Sequence, residues 1–234
     1  MIIIPARIAS TRFPRKVLYP INGVPMVICT ARQASKVDEV VIATDSKEVV
    51  EVANEYGFRA VLTREHHASG TDRVNEAATI LGLEPDHIII NVQADEPFIE
   101  PEVIESVKDL VQKHRDSDEI MLHSVYKEID AQKADDPNRV KVVLDSTNFA
   151  LYFSRSKIPY PREELKIYYQ HIGIYGYTRK MLERFCSLKE APLENIEKLE
   201  QLRVLYHGYK IAMAKVKSRS IGVDTLEDLK RLSL

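Results

Sequence analysis

The sequence predicts a three-layer α/β/α domain, with a mixed, mostly parallel sheet between two sets of helices and an antiparallel arm in its second half. Three observations carry this. Apolar, β-branched runs recur at residues 2–4 and within the strand-like segments 40–44 and 87–92, as strands buried on both faces require. Helix-period segments alternate with these runs as far as Lys113, the pattern of right-handed crossovers over a parallel sheet. Beyond Ile120 the strand-like segments follow one another less regularly, which suits antiparallel pairing.

Residues 2–4 form the first strand, and Pro5 ends it because proline has no N–H for the ladder. The loop behind it carries Arg7, Arg12, Arg15 and Lys16, with no acidic residue before Asp38. Asn22-Gly23 is a turn, and Pro25 suits the first position of a helix over 25–35 with Met26, Val27 and Ala34 inward. The second strand, 40–44, ends at Asp45. Ser46 then caps a helix that runs through Tyr56 and closes on Gly57. A third strand spans 59–63, and a helix over 71–81 stops at Gly82. The fourth strand, 87–92, delivers Gln93-Ala94-Asp95-Glu96-Pro97 to a helix over 101–113 whose inner stripe is Val103, Val107, Leu110 and Val111.

In the second half, strands are expected at 120–126, 140–144, 150–154, 169–175 and 211–216, with the turn Asp145-Ser146-Thr147-Asn148 joining the second and third. Helices are expected over 178–188 and 193–206, the latter with Ile196, Leu199, Leu202 and Leu205 on one face. A last helix begins at Thr225, where Thr225 and Asp228 have capping-box spacing. With no repeat, linker or low-complexity stretch, residues 1–234 read as a single domain.

The bulk numbers narrow the function. A chain with 44% hydrophobic and 29% charged residues is ordinary for a globular protein. A formal net charge of −2 argues against general nucleic-acid binding, so the cationic loop is a local site for a small anion. Cys29 and Cys186 lack zinc or redox spacing and read as buried thiols. The opening apolar run is too short for a signal sequence and no stretch reaches transmembrane length, so a cytoplasmic protein without membrane insertion is expected.

In an open α/β sheet, ligands bind beyond the carboxyl ends of the strands where strand order reverses. If strands one and four are neighbours there, the loop from Arg7 to Lys16 faces Asp95 across one crevice. Cations opposite a carboxylate suit polyphosphate with Mg²⁺, because Arg and Lys hold phosphate oxygens and Mg²⁺ needs only one or two protein carboxylates. The plainer role for Asp95-Glu96 is an acid pair that offsets a helix dipole. The first loop has no glycine, so it is not a Walker A loop. Gly173-Ile174-Tyr175-Gly176 lies inside a strand-like segment, which argues against nicotinamide chemistry. The segment from His66 to Arg73 can offer backbone N–H groups to an anion, or simply connect two elements. On their own, His171 reads as a packed strand residue, and Glu194 with Lys198 as part of a solvated helix face. Asp224, fed by Ile221-Gly222-Val223, is either a second metal ligand or an extra cap.

Taken together these segments resemble the 3-deoxy-manno-octulosonate cytidylyltransferases, or CMP-Kdo synthetases, through nearly the whole chain. The motifs are Ile4-Pro5-Ala6-Arg7 with Ser10, Arg12, Pro14 and Lys16; Ala43-Thr44-Asp45; the stretches 69–73 and 91–97; Pro137-Asn138 with Val140-Lys141-Val142-Val143; Tyr152-Phe153-Ser154-Arg155; and the stretches 171–177, 199–202 and 222–225. Two departures are Ala94, where the family usually has glycine, and a short segment between Pro161 and His171. The resemblance implies a nucleotide-diphospho-sugar transferase type of fold, similar to a Rossmann sheet. It further implies a nucleotide-binding half over about 1–118, a sugar-binding and dimerisation half over about 119–234, and a homodimer.

The implied reaction is CTP plus Kdo giving CMP-Kdo and pyrophosphate, for lipopolysaccharide biosynthesis. By the same resemblance the catalytic residues would be Arg7, Lys16, Asp95 and Asp224, and the nucleotide-binding residues Ala6, Arg7, Ser10, Arg12, Lys16, Ser69, Arg73 and Gln93. Gln93, Arg155, His171, Tyr175, Glu200 and Gln201 would surround the sugar acid, and Asp95 and Asp224 would hold Mg²⁺, as two ions. This replaces the plainer readings of His171 and of the charged helix. The rival readings are a CMP-sialate synthetase and a non-catalytic nucleotide- or RNA-binding regulator.

Overall fold

β1 (Ile2–Ala6) is buried at every position and lies inside the sheet, as its unbroken apolar run demands. The structure, a computed structural model, describes residues 1–9, 13–220, 222–223 and 226–231. A hairpin of β2 (Pro20–Ile21) and β3 (Val24–Pro25) follows, turned by Asn22 and Gly23 at positive φ, and leads into α1 (Met26–Ala34). The central alternation continues with β4 (Val40–Thr44), α2 (Lys47–Glu55), β5 (Arg59–Leu62), α3 (Gly70–Ile80), β6 (Ile88–Asn91) and α4 (Pro101–His114). Then come β7 (Ile120–Asp130), β8 (Lys141–Leu144), β9 (Ala150–Ser154), β10 (Ile167–Thr178) and α5 (Arg179–Ser187). The last elements are α6 (Pro192–Glu197), α7 (Leu202–Tyr206), β11 (Lys210–Lys215) and α8 (Leu226–Arg231).

The main sheet runs β11-β7-β10-β6-β1-β4-β5, with β8 on β10 and β9 on β8. β1 pairs in parallel with both β4 and β6, so strand order reverses there, as expected from the sequence. β10 enters antiparallel between β6 and β7, and its first half pairs with β8 to build the antiparallel arm. Alternate strand residues fill two cores. Ile3, Val41, Ala43 and Ile89 pack with residues of α3 and α5, whereas Ile2, Ile4, Ile42 and Ile90 pack with residues of α1, α2 and α4. Full burial of each such side chain contributes about 1.5–3 kcal/mol. Among the described residues, no helix is long and apolar enough to cross a membrane.

Four expectations change. Pro5 does not end β1, which runs through it to Ala6 with Pro5 opposite Ala43 of β4. The helix predicted over 193–206 is broken into α6 and α7, with Lys198 at φ 54° between them. The one-face stripe therefore fails: Leu199 and Leu202 are buried but Ile196 is 76% exposed. Glu194 is not on a solvated face with Lys198; it is buried and forms a double hydrogen bond with Arg203 at 2.8 and 2.5 Å. Ser46 occupies the capping position of α2 without a side-chain capping bond. The capping box at Thr225 lies outside the described residues.

Between Ile172 and Gly176, β10 holds more residues than the facing stretch of β7, from Val125 to His123. Gly176 closes this bulge against α4: a Cβ there would lie 2.5 Å from Val111 Cγ2 and 2.7 Å from Val107 Cγ1. Gly176→Ala is expected to destabilise the protein by about 1–3 kcal/mol in urea unfolding, and Val111→Ala in the same chain should recover part of the loss. A neutral Gly176→Ala would show that α4 does not press on the bulge.

Candidate functional site

The carboxyl ends of β1 and β6 open into a crevice of about 750 Å³ lined by residues including Ser69, Gln93, Asp95, His171, Tyr175 and Glu200. β1 delivers Ala6, buried at its end, and then Arg7, exposed at the start of the basic loop. Lys16 returns from that loop on a short 3-10 turn, and its Nζ donates to Asp95 Oδ2 at 2.6 Å. The cation and carboxylate expected to face each other are thus in contact. Ser10, Arg12 and Asp224 lie outside the described residues.

Next to Asp95, burial and the Asp95 charge raise the Glu96 carboxyl to about 7, while Ser220 Oγ donates to it at 2.9 Å. Ser218, Ser220 and Val223 are tied over this corner: Val223 N donates to Asp95 O at 2.9 Å, and Lys127 Nζ donates to Ser218 O and Ser220 O. Asp95 offers hard carboxylate oxygen beside the basic loop. That donor chemistry fits Mg²⁺ shared with phosphate, although among the described residues no cluster of three or more possible ligands occurs.

α3 brings Ser69 and Gly70 to the lining through a full capping box: Ser69 Oγ accepts from Asp72 N, and Asp72 Oδ2 accepts from Ser69 N. Arg73, one turn on, points elsewhere. It is buried, with Nη2 donating to Asp45 Oδ2 at 2.9 Å and Nη1 to Thr63 Oγ1 and Arg64 O. Because Asp45 Oδ1 also accepts from Ile8 N, Arg73 supports the basic loop from behind.

From Gln93 a hydrogen-bond path crosses the floor. Gln93 Nε2 donates to Asn91 Oδ1, Asn91 Nδ2 to Thr71 Oγ1, and Thr71 Oγ1 to Glu200 Oε1. Burial raises the Glu200 carboxyl to about 7, and its Oε2 is buried without a hydrogen-bond partner among the described residues. An acceptor so placed favours a ligand that can donate, such as a sugar hydroxyl. The αL break at Lys198 is what turns Glu200 and Gln201 inward from the chain between α6 and α7.

A second path fixes His171. Ser124 Oγ must donate to a bulge carbonyl, Ile174 O at 2.7 Å or Ile172 O at 3.2 Å, so it accepts from His171 Nε2–H at 2.9 Å. His171 Nδ1 then accepts from Gln201 Nε2, and Gln201 Oε1 accepts from Tyr175 OH. Burial holds the imidazole down to about 3, so it is neutral with one tautomer.

Arg155 is placed differently from its expected role on the sugar. It is not among the crevice-lining residues, and its guanidinium donates to Glu197 O at 2.7 Å, Pro137 O at 3.2 Å and Lys198 O at 3.4 Å. Lining residues missed from the sequence include Lys127, Asp136, Arg139, Gln170 and Ser220. The strand segment carrying Gln170 was legible; what was not is that it extends past the end of β6.

A basic, glycine-free loop meeting a carboxylate at the switch point, beside a polar floor, defines a nucleotidyltransferase site. Residues 1–211 match the cytidylyltransferase family. The chain is 67% identical over 233 residues to a 3-deoxy-manno-octulosonate cytidylyltransferase from a Nitratiruptor species, spanning 100% of this chain and 98% of that one. It is 54% identical to the protein of that description from Wolinella succinogenes, covering 99% and 97%. A solved CMP:2-keto-3-deoxy-manno-octonic acid synthetase complexed with CTP superposes with a TM-score of 0.89 at 39% identity, covering 99% of this chain and 95% of that one. A cytidylyltransferase from Leptospira borgpetersenii, 18% identical with a TM-score of 0.63 over 99% of this chain and 83% of its own, shares the fold. The chain belongs to the 3-deoxy-manno-octulosonate cytidylyltransferases within the cytidylyltransferase family.

Two neutral histidines set the acid limit of this site. His123 donates Nδ1–H to Gly176 O at the far end of the bulge, and burial holds it down to about 4. Both folded values lie below the unfolded value of 6.5, so the histidines bind protons more weakly when folded. Their contribution to stability is complete above pH 6.5 and is lost as pH falls towards 4 and then 3. Glu96 and Glu200, raised to about 7 from 4.5, act with the opposite sign and offset this loss down to pH 4.5, so urea midpoints are expected to stay level from pH 6.5 to 4.5 and to decline below it. His123→Gln should make the midpoint rise as pH falls from 6.5 to 4.5; a midpoint still level there would mean His123 is not buried neutral.

Proposed function

We propose that the chain transfers a cytidylyl group from CTP to the anomeric hydroxyl of Kdo, giving CMP-Kdo and pyrophosphate. The observation that carries this reading is the full-length kinship with enzymes of that description, and the Lys16–Asp95 contact agrees with it. The 2-hydroxyl oxygen of the sugar attacks the α-phosphorus in line, the bond to the β-phosphate oxygen breaks, and the hydroxyl proton goes to solvent. Arg7, Arg12 and Lys16 grip the triphosphate by their side chains and stabilise the charge that accumulates on departing pyrophosphate. Ala6, Ser69 and Gln93 line the nucleotide side, Ser10 is assigned to it by kinship alone, and Arg73 acts through Asp45.

Gln93, His171, Tyr175, Glu200 and Gln201 hold the sugar. Glu200 Oε2 accepts from a hydroxyl, and the fixed His171–Gln201–Tyr175 path keeps the floor from rotating when the sugar arrives. Asp95 and Asp224 would hold Mg²⁺, two ions, which when bound draw charge from phosphate oxygens and lower the pKa of the attacking hydroxyl. The nucleotide is thus met by residues of 1–118 and the sugar chiefly by residues of 119–234. Exposed Leu151, Ile167 and Tyr169 on the arm support a homodimer joined there, and the cell compartment we assign is the cytoplasm.

Pyrophosphate release from CTP with Mg²⁺ is expected with Kdo and not with N-acetylneuraminate; turnover on the latter alone would instead make the chain a sialate-activating enzyme. Salt-sensitive nucleotide or RNA binding without CTP consumption would favour the regulator reading. Asp95→Asn is expected to lose most turnover, by about a hundredfold or more, with the fold intact by circular dichroism and a somewhat lower unfolding midpoint, because Lys16 loses this partner. Near-normal Mg²⁺-dependent rates would remove Asp95 from the metal site.

A further inference from the structure

Kdo carries a carboxylate on the carbon next to the one that reacts, and a carboxylate entering a half-buried crevice needs a cationic partner with directed N–H groups. Among the described lining residues the cations are Lys127, Arg139 and Lys198. Lys127 Nζ is taken up by Ser218 O and Ser220 O. Lys198 is exposed at the turn between α6 and α7. Arg155 is outside the lining, with its N–H groups on three carbonyl oxygens.

Arg139 differs from all three. Its Nη1 donates to Gln170 Oε1 at 3.1 Å, its Nε lies 3.6 Å from Asp136 Oδ2, and its Nη2 has no partner among the described residues. The backbone holds it beside the sugar floor: Arg139 N donates to Asp136 O, and the next residue, Val140, accepts from His171 N at 2.8 Å. Gln170 is therefore a strut that holds the guanidinium in the crevice, on the face of β10 opposite the His171 side chain and beside that of Lys127. The closeness of Arg139 also depresses Lys127, second to burial, so two like charges share this side of the crevice and an anion between them relieves their repulsion.

We propose that Arg139, oriented by Gln170, binds the carboxylate of the sugar acid, and that Arg155 only positions the α6–α7 turn. This rests on the sugar-acid reading above. Steady-state kinetics on the full chain would compare Kdo with its C1 amide, which keeps the shape and loses the charge. Arg139→Ala is expected to raise KM for Kdo about tenfold or more with KM for CTP little changed, and to erase most of the wild-type preference for Kdo over the amide. Arg139→Lys, which keeps the charge without the fork, should fall between. Arg155→Ala should lower the unfolding midpoint and retain the preference.

If Arg139→Ala keeps the wild-type preference for Kdo over the amide, or Arg155→Ala is the variant that erases it, the assignment is overturned. Wild-type turnover on a different sugar acid would end the Kdo reading but not this one, since the same comparison runs on that acid and its amide. CTP consumption without any sugar acid would end both.

Discussion

Parallel pairing of β1 with β6 sets the distance between the two charged loops, and the other features of the site depend on it. Ile2 lies against Ile90 and Ile3 against Asn91, with Val92 N reaching Ile3 O at 3.3 Å. Side chains alternate along a strand, so a slip of one residue would turn Ile89 and Ile90 to the wrong cores. The cores therefore lock the register. That register lets Lys16, after a loop of basic residues, touch Asp95 beyond the end of β6. A glycine-rich cradle grips phosphate with backbone N–H groups, whereas this loop brings side chains and needs a scaffold to aim them. Asp45 supplies part of it, accepting from Ile8 N on one oxygen and from Arg73 on the other.

The antiparallel insertion of β10 completes the crevice. Tyr175 pairs with Asn91, so residues 170–174 run on past the carboxyl end of β6 and overhang the opening. A bulge there would strand carbonyl groups away from their ladder partners, and one hydroxyl, Ser124 Oγ, donates to Ile174 O or Ile172 O while accepting from His171. Folding the arm and fixing the His171 tautomer are in this way a single event. Gly176 lets the same strand lie tight on α4, so the bulge is held from both sides of the sheet.

The first half of the fold was legible because strands buried on both faces must be apolar throughout, and β4 has the limits its sequence suggests. β9 was equally clear from its turn. The charged stretch from Glu194 to Arg203 was not. Its i,i+4 spacing looks like an exposed helix, and nothing local announces that Glu194 will bury itself on Arg203 or that Lys198 will take a left-handed turn. The turn follows from long-range contacts, Arg155 on the carbonyls of Glu197 and Lys198 and Ser154 Oγ on Glu197. Glu200 and Gln201 owe their position to that break. The sequence shows that they are polar, and only the tertiary structure shows which way they point.

Arginines expose the same limit most sharply. A guanidinium satisfies carbonyl oxygens as readily as phosphate, so composition marks where a cation stands and leaves its direction open. Arg73 and Arg155 turn inward and fix backbone, while Lys16 reaches Asp95 at the crevice edge and Arg139 lines the crevice. Both of these cations rest against a carboxylate, Lys16 on Asp95 and Arg139 near Asp136. Lys16 and Asp95 keep only 13% and 31% of their side-chain exposure, so neither charge is left half-buried and alone. An arriving polyphosphate with its cation exchanges one set of opposite charges for another. Such an exchange adds little desolvation to binding, and a body of net charge −2 can therefore hold a strongly charged ligand at one edge of its sheet.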